Sequence, residues 1–214
     1  MKLEAVFTSH REFYKFAERV AGALSDRGSA IVSAPPGTGK STLLPLALLD
    51  TPGRIIMLEP RRLAARAVAA RMAHLLGEEV GDTVGVRVRF DSRVSARTRI
   101  EVVTEAVLTR KLQRDPELSG VSTLLFDEFH ERNLHADLGL ALALDARSVL
   151  RPDLRIGLLS ASLDNARVAQ LLDGAPVMSY DAQPHPVAFS YLGDVSIHGG
   201  IRKALAASHA DVLV

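Results

Sequence analysis

The sequence contains no cysteine. That excludes disulfides, thiol catalysis and zinc held by cysteine ligands, and it suits a reducing compartment, so a cytoplasmic location is expected. Aromatic residues make up only 5% of the chain, so base stacking is not expected to be a major feature. The longest mostly apolar stretch, near "LGLALALDA", falls far short of the roughly 18 to 20 residues of a membrane span, and no membrane association is expected. The opening "MKLEAVFTSHREF" mixes charges with its apolar residues and offers no secretory signal core. No internal repeat and no low-complexity tract is visible. The formal net charge of +1 excludes nothing, because a balanced total can hide a basic face.

What is there alternates. The 214 residues are 47% hydrophobic and 24% charged, enough for one globular domain or one domain and a fragment. Apolar runs read as strands at 30–34, 54–60, 85–90, 99–104, 122–128 and 154–162, and helical patterns lie at 9–27, 40–50, 61–76, 105–113, 135–149 and 164–173. This order predicts an α/β fold: a mainly parallel sheet with helices on both faces. The near-continuous apolarity of the strands agrees with a sheet covered on both sides. Two prolines in "DAQPHPVAF" (181–189) suggest a linker or an edge strand; a helix then resumes, and "ADVLV" begins another apolar strand. The expected division is a domain over residues 1–185, with 186–214 as linker and the start of a second α/β unit.

"SAPPGTGKST" follows the first strand and opens a helix. Glycine at 37 and 39 lets successive N–H groups turn inward to cradle phosphate at a helix N-terminus. The candidate ATP cradle is Pro36, Gly37, Thr38, Gly39, Lys40, Ser41 and Thr42, with Lys40 reaching the β and γ phosphates and Ser41 presenting its hydroxyl to Mg²⁺. The strict pattern wants glycine where Ala34 stands. Pro45 sits early in the helix, where an absent N–H is tolerated in part.

A later strand runs into "LLFDEFHERN" (124–133), a cluster of ionisable groups at the end of an apolar run. Such charges need compensation. Strand ends in parallel sheets converge on the ligand crevice, so Asp127 can face the magnesium that Ser41 holds, and Glu128 can orient and deprotonate the attacking water. An acid pair opening a helix is the plainer alternative.

"DEFH" resembles motif II of the DEAH/RHA group of superfamily 2 helicases, and with "ERN" it is most similar to the bacterial ATP-dependent helicase HrpB family. In order along the chain, "EPRRLAAR" resembles motif Ia, "VGVRVRFD" the hook-turn segment, "VVTEAVL" motif Ib and "SAS" motif III, over about residues 30 to 190. Pro45 matches the group; Ala34, Ala106 and Ser162 depart from its usual glycine, glycine and threonine. The resemblance implies a RecA-like first lobe that binds ATP and Mg²⁺, with Lys40, Glu128 and His130 in the catalytic machinery and Ser41 and Asp127 on the metal. His130 would couple the nucleotide site to motif III or to a second lobe, or is a structural histidine. Ser160 and Ser162 would link phosphate status to nucleic-acid binding, or form a strand-end turn or helix cap. Arg71 matches an arginine that stacks on adenine, although a helix-surface arginine needs no special reason.

For the strand, the resemblance implies backbone contacts from Arg61, Arg89 and Thr104. Residues 54–114 carry 13 Lys and Arg against 7 Asp and Glu, a local excess that fits phosphate contacts. Arg93, Arg97 and Arg99 read as ordinary cations on solvated faces. The expected partners are single-stranded nucleic acid, with RNA as the expected strand, and a second RecA-like lobe; phosphate-directed contacts do not themselves report the 2′-hydroxyl. The arginine finger would come from that second lobe, a contribution of roughly 10³ to 10⁵ in related phosphoryl transfer. Two alternatives stay open: a nucleotide-switched nucleic-acid module without unwinding, and a P-loop kinase or transporter ATPase, against which the ordered motifs argue.

Overall fold

A computed structural model describes residues 2–161, 165–181, 191 and 193–207. The chain forms two compact units, residues 1–182 and 183–214. The first contains α1 (Lys2–Phe7), α2 (Arg11–Arg27), β1 (Ser29–Ser33), α3 (Leu43–Ala47), β2 (Arg54–Leu58), α4 (Arg62–Leu76), β3 (Val84–Val88), β4 (Asp91–Arg93), β5 (Ile100–Val103), α5 (Glu105–Arg114), β6 (Val121–Phe126), α6 (Leu134–Val149), β7 (Arg155–Ser160), α7 (Asn165–Leu171) and β8 (Val177–Ser179). Within the second, the described helix is α8 (Ile197–Ala207). The linker residues 182–190 and the run "ADVLV" lie outside the described residues.

Eight strands form one sheet in the order β4-β3-β5-β2-β6-β7-β1-β8. All neighbours pair in parallel except β4, which returns antiparallel on β3. Alternate strand residues feed two cores, as a pleat of period two requires. Ile55, Met57, Val102 and Leu125 point to the side covered by α2, α3 and α4; Ile56, Leu58, Val103 and Phe126 point to the side of α5 and α6. Phe126 is fully buried in the second core, where truncation to alanine would cost roughly 3–5 kcal/mol.

Local chemistry sets the ends of the elements. On α2, Phe13, Phe16, Ala17, Val20 and Leu24 recur every three or four residues and form its buried stripe. Gly28 stops that helix in the left-handed conformation and returns its N–H to Leu24 O. Asn133 caps α6 by accepting the Ala136 N–H at 2.8 Å.

Three expectations need correction. The strand read over 85–90 ends at Val88, and the chain turns back through Arg89 and Phe90, with Phe90 at φ +66°. The helix read from residue 40 begins at Leu43, after turns over 40–42, and closes in a 3₁₀ turn at Leu48–Asp50. Pro45 is its third residue, so its absent N–H falls among donors that a helix start leaves unbonded. Arg99 is not a solvated cation: it is half-buried and donates to the carbonyls of Leu49, Thr51 and Gly53. The short β4, β8 and α1 went unread because three to six residues carry too little periodicity to register.

Candidate nucleotide and nucleic-acid edge

Seven of the sheet's strands run parallel, so their C-terminal ends share one edge, and nearly every candidate residue lies there. Along it, β1, β7 and β6 present the phosphate loop, Ser160 and the Asp127–Glu128 pair; β2, β5 and β3 present Arg61, Thr104 and Arg89.

The loop after β1 has Gly37 at φ +78° and Gly39 at φ +96°. A Cβ on Gly39 would stand 2.6 Å from Leu43 Cδ1, so both its conformation and its space require glycine. The Leu43 N–H donates to Gly39 O, which starts the helical turn there. Pro36 and Gly37 are exposed; Thr38, Ser41 and Thr42 are half-buried, and Thr38 closes the turn on Pro35 O at 2.9 Å. Lys40 is only 4% exposed and donates to Glu128 Oε1 at 2.8 Å.

Asp127, 3% exposed, takes the Glu128 N–H on Oδ1 at 2.9 Å, while its buried Oδ2 has no partner. Burial pushes its carboxyl above the ordinary carboxylate range, against the pull of the Ser41 hydroxyl and the Lys40 ammonium. Glu128 sits at φ +49°, a left-handed conformation costing about 1–2 kcal/mol in a residue with a Cβ. Strain of this kind persists where the surroundings over-determine it.

His130 joins two loops. Its Nδ1 lies 3.3 Å from Ala161 N and 3.4 Å from Glu128 Oε2. Unprotonated, that nitrogen accepts from the first; protonated, it donates to the second. The Ala34 N–H donates to Ser160 O at 3.1 Å, so the phosphate loop and the strand end at Ser160 are joined through the backbone. Ser162 lies outside the described residues.

On the other half, Arg61 is exposed and ion-paired to Glu131 at 2.8 Å. Arg62 donates to Arg89 O at 3.1 Å and ties the β2 loop to the β3–β4 tip, where the Arg89 guanidinium lies 4.7 Å over the Phe90 ring. Thr104 is buried before α5 and is not brought to the surface. Arg71 is exposed on α4, on the side of the sheet that carries α3.

Glu59 went unnoticed in the sequence. It is 2% exposed at the end of β2, accepts the Arg61 N–H at 3.4 Å, and its pKa is pushed up to about 7, first by burial and then by Asp127. The signal was present: "RIIMLE" runs into an acid just as "LLFDE" does.

A mainly parallel sheet whose strand ends gather a glycine loop, a buried lysine and an acid pair led by buried Asp127 is that of a RecA-like P-loop nucleotide-binding lobe. The chain belongs to the DEAD/DEAH box helicase family, whose profile matches residues 15–171. It is 53% identical over 194 residues to the Escherichia coli (strain K12) ATP-dependent RNA helicase HrpB, covering 89% of this chain and 24% of that protein. It is 35% identical over 190 residues to a DExH-box ATP-dependent RNA helicase of Arabidopsis thaliana, covering 85% of this chain and 19% of that one. The crystal structure of Escherichia coli DEAH/RHA helicase HrpB superposes with a TM-score of 0.79 at 48% identity, over 90% of this chain and 25% of that chain. The chain thus spans about a quarter or less of the length of these relatives.

Proposed function

We propose that residues 1–185 are the first lobe of an ATP-dependent nucleic-acid helicase or translocase, acting on RNA, and that 186–214 lead toward a second lobe. The observation that carries this reading is the cluster of buried Lys40 and Asp127 with half-buried Glu128 beside the glycine loop. Lys40 exchanges its Glu128 partner for the β and γ phosphates of ATP. That exchange leaves the Glu128 carboxylate to orient the attacking water and take its proton.

Mg²⁺ fits the residues present. Asp127 offers a buried oxygen with no partner, and the Ser41 hydroxyl lies next to its carboxyl. Among the described residues no group of three or more His, Cys, Asp or Glu could hold a metal. This suits magnesium, which takes one or two protein ligands and completes its shell with phosphate and water. When bound, the ion would neutralise charge on the transferring phosphoryl group.

Arg61 and Arg89 grip strand phosphates. His130 and Ser160 carry nucleotide status between loops, and Arg71 stacks on adenine. No helix among the described residues is long and apolar enough to cross a membrane.

The test is magnesium-dependent ATP binding and hydrolysis with and without single-stranded RNA. Nucleotide binding clearly weakened by Lys40→Ala in a folded chain supports the reading; unchanged affinity overturns the phosphate site. Hydrolysis in a chain extended by a second lobe that ignored RNA would favour a P-loop ATPase of another kind.

A further inference from the structure

One large cleft lies away from the nucleotide site. It holds about 600 Å³ and lies beside α5, on the side of the sheet opposite α4. Its floor is apolar: Ile56, Val88, Val107 and Leu118. Its wall is a stripe of α5, where Ala106, Arg110 and Arg114 recur every four residues. One mouth is the β3–β4 tip with Arg89 and Phe90; the other lies at Arg54 and Ser119, where β2 and β6 begin. The cleft therefore crosses from the C-terminal to the N-terminal edge of the sheet, about 17 Å for a five-residue strand.

Six cations line it: Arg54, Arg87, Arg89, Arg110, Lys111 and Arg114. Buried Glu101 pairs with both Arg87 and Lys111, and Asp115 is the one acid in the lining, so a formal excess of four positive charges remains. Arg110 and Arg114 are exposed and make no ion pair or hydrogen bond among the described residues. Phe90 is 89% exposed and held at a positive φ that a bulky side chain rarely adopts. Low aromatic content argued against stacking as a general feature, yet this ring stands at the mouth of a cleft lined by six cations. A positively charged groove with an aromatic platform is how single strands are held without sequence preference. The arginine forks suit bidentate phosphate contacts.

We propose that this cleft is an additional segment of the single-strand path. It takes the strand past the Arg61–Arg89 edge and leads it along α5, with phosphates on Arg110, Arg114 and Arg54 and a base on Phe90. The inference rests on the nucleic-acid reading above and extends it to Arg54, Arg110 and Arg114, which no helicase motif named in the chain includes.

The experiment compares a short and a long oligouridylate by fluorescence anisotropy across a salt series. The chains are wild type, Arg110→Ala/Arg114→Ala and Arg61→Ala, each checked for folding by circular dichroism. The double variant is expected to lower the salt slope for the long strand by about 1.4, two contacts at about 0.7 each. Binding of the short strand, which reaches only the Arg61–Arg89 edge, stays as in wild type. Iodouridine in the long strand is expected to cross-link to Phe90, and Phe90→Leu to abolish the cross-link.

If the double variant keeps the wild-type slope while Arg61→Ala weakens both strands, the cleft is overturned and the edge stands. If wild type binds neither strand, the nucleic-acid reading fails and takes this inference with it. If an acidic, tryptophan-bearing peptide outcompetes the long strand and loses that ability in the double variant, the cleft takes a protein segment and the proposal is overturned.

Discussion

At the ends of β6 and β1, Lys40 and Asp127 are buried and Glu128 is half-buried; at the ends of β2, β5 and β3, and along α5, most charges are exposed, buried Glu59 excepted. Lys40 and Asp127 pay a desolvation penalty that must be offset locally, and each meets a specific group from a distant part of the chain. Arg61, Arg89, Arg110 and Arg114 stay hydrated, so holding them there costs little and their field is screened by salt. The Arg61–Glu131 pair that joins the two halves is itself open to water, with 65% and 36% of the side chains exposed. Such a pair is worth about 0–1 kcal/mol, so a phosphate can displace Glu131 from Arg61 at little cost. One half is built for geometry, the other for charge.

The comparison predicts where substitutions should hurt. The largest effect is expected from Glu128→Gln in a chain that includes a second lobe: a fall in kcat of roughly 10² to 10⁴ with ATP affinity kept or tightened. Steady-state hydrolysis and nucleotide titration check both parts; normal turnover would make the strand-end acids structural.

Lys40→Ala comes next. Loss of a charge-assisted phosphate contact should weaken nucleotide binding roughly 10- to 150-fold, read by calorimetric titration and nearly independent of salt.

Glu59, the buried acid at the end of β2, tests a buried charge without nucleotide. Its folded pKa of about 7 lies above the ordinary 4.5. The folded chain therefore holds the proton between those values where the unfolded chain has lost it. The stability this contributes is present below about pH 4.5 and is lost as pH rises through about 7. Melting curves of wild type should fall across that window by up to about 3 kcal/mol relative to Glu59→Gln; parallel curves would contradict the shift.

The smallest effect is expected at the exposed half. Arg89→Ala should reduce the salt slope of single-strand binding by about 0.7 and leave nucleotide affinity unchanged. A large loss of nucleotide affinity there would collapse the distinction between the halves.

Reading the residues alone recovered the six long strands and every longer helix of the first unit, because each carries its own periodicity. It placed the glycine loop and the two acids at their strand ends for a related reason: a glycine loop between strand and helix, and acids ending an apolar run, are local signals. It did not recover Glu59, whose meaning depends on β2 lying beside β6, with Leu58 opposite Phe126. Nor did it find the role of Arg99, which binds carbonyls some 50 residues away. The turn at Arg89 and Phe90 was read as strand because "GVRVRF" alternates without a break.

The sequence by itself determined the kind of lobe this is, since the order of strand, loop and helix and the chemistry of the phosphate loop are written in contiguous residues. The tertiary structure decided which charges are dry and which are wet. Burial is a property of neighbours, and the strand order β3-β5-β2-β6-β7-β1 brings together side chains that the chain keeps far apart.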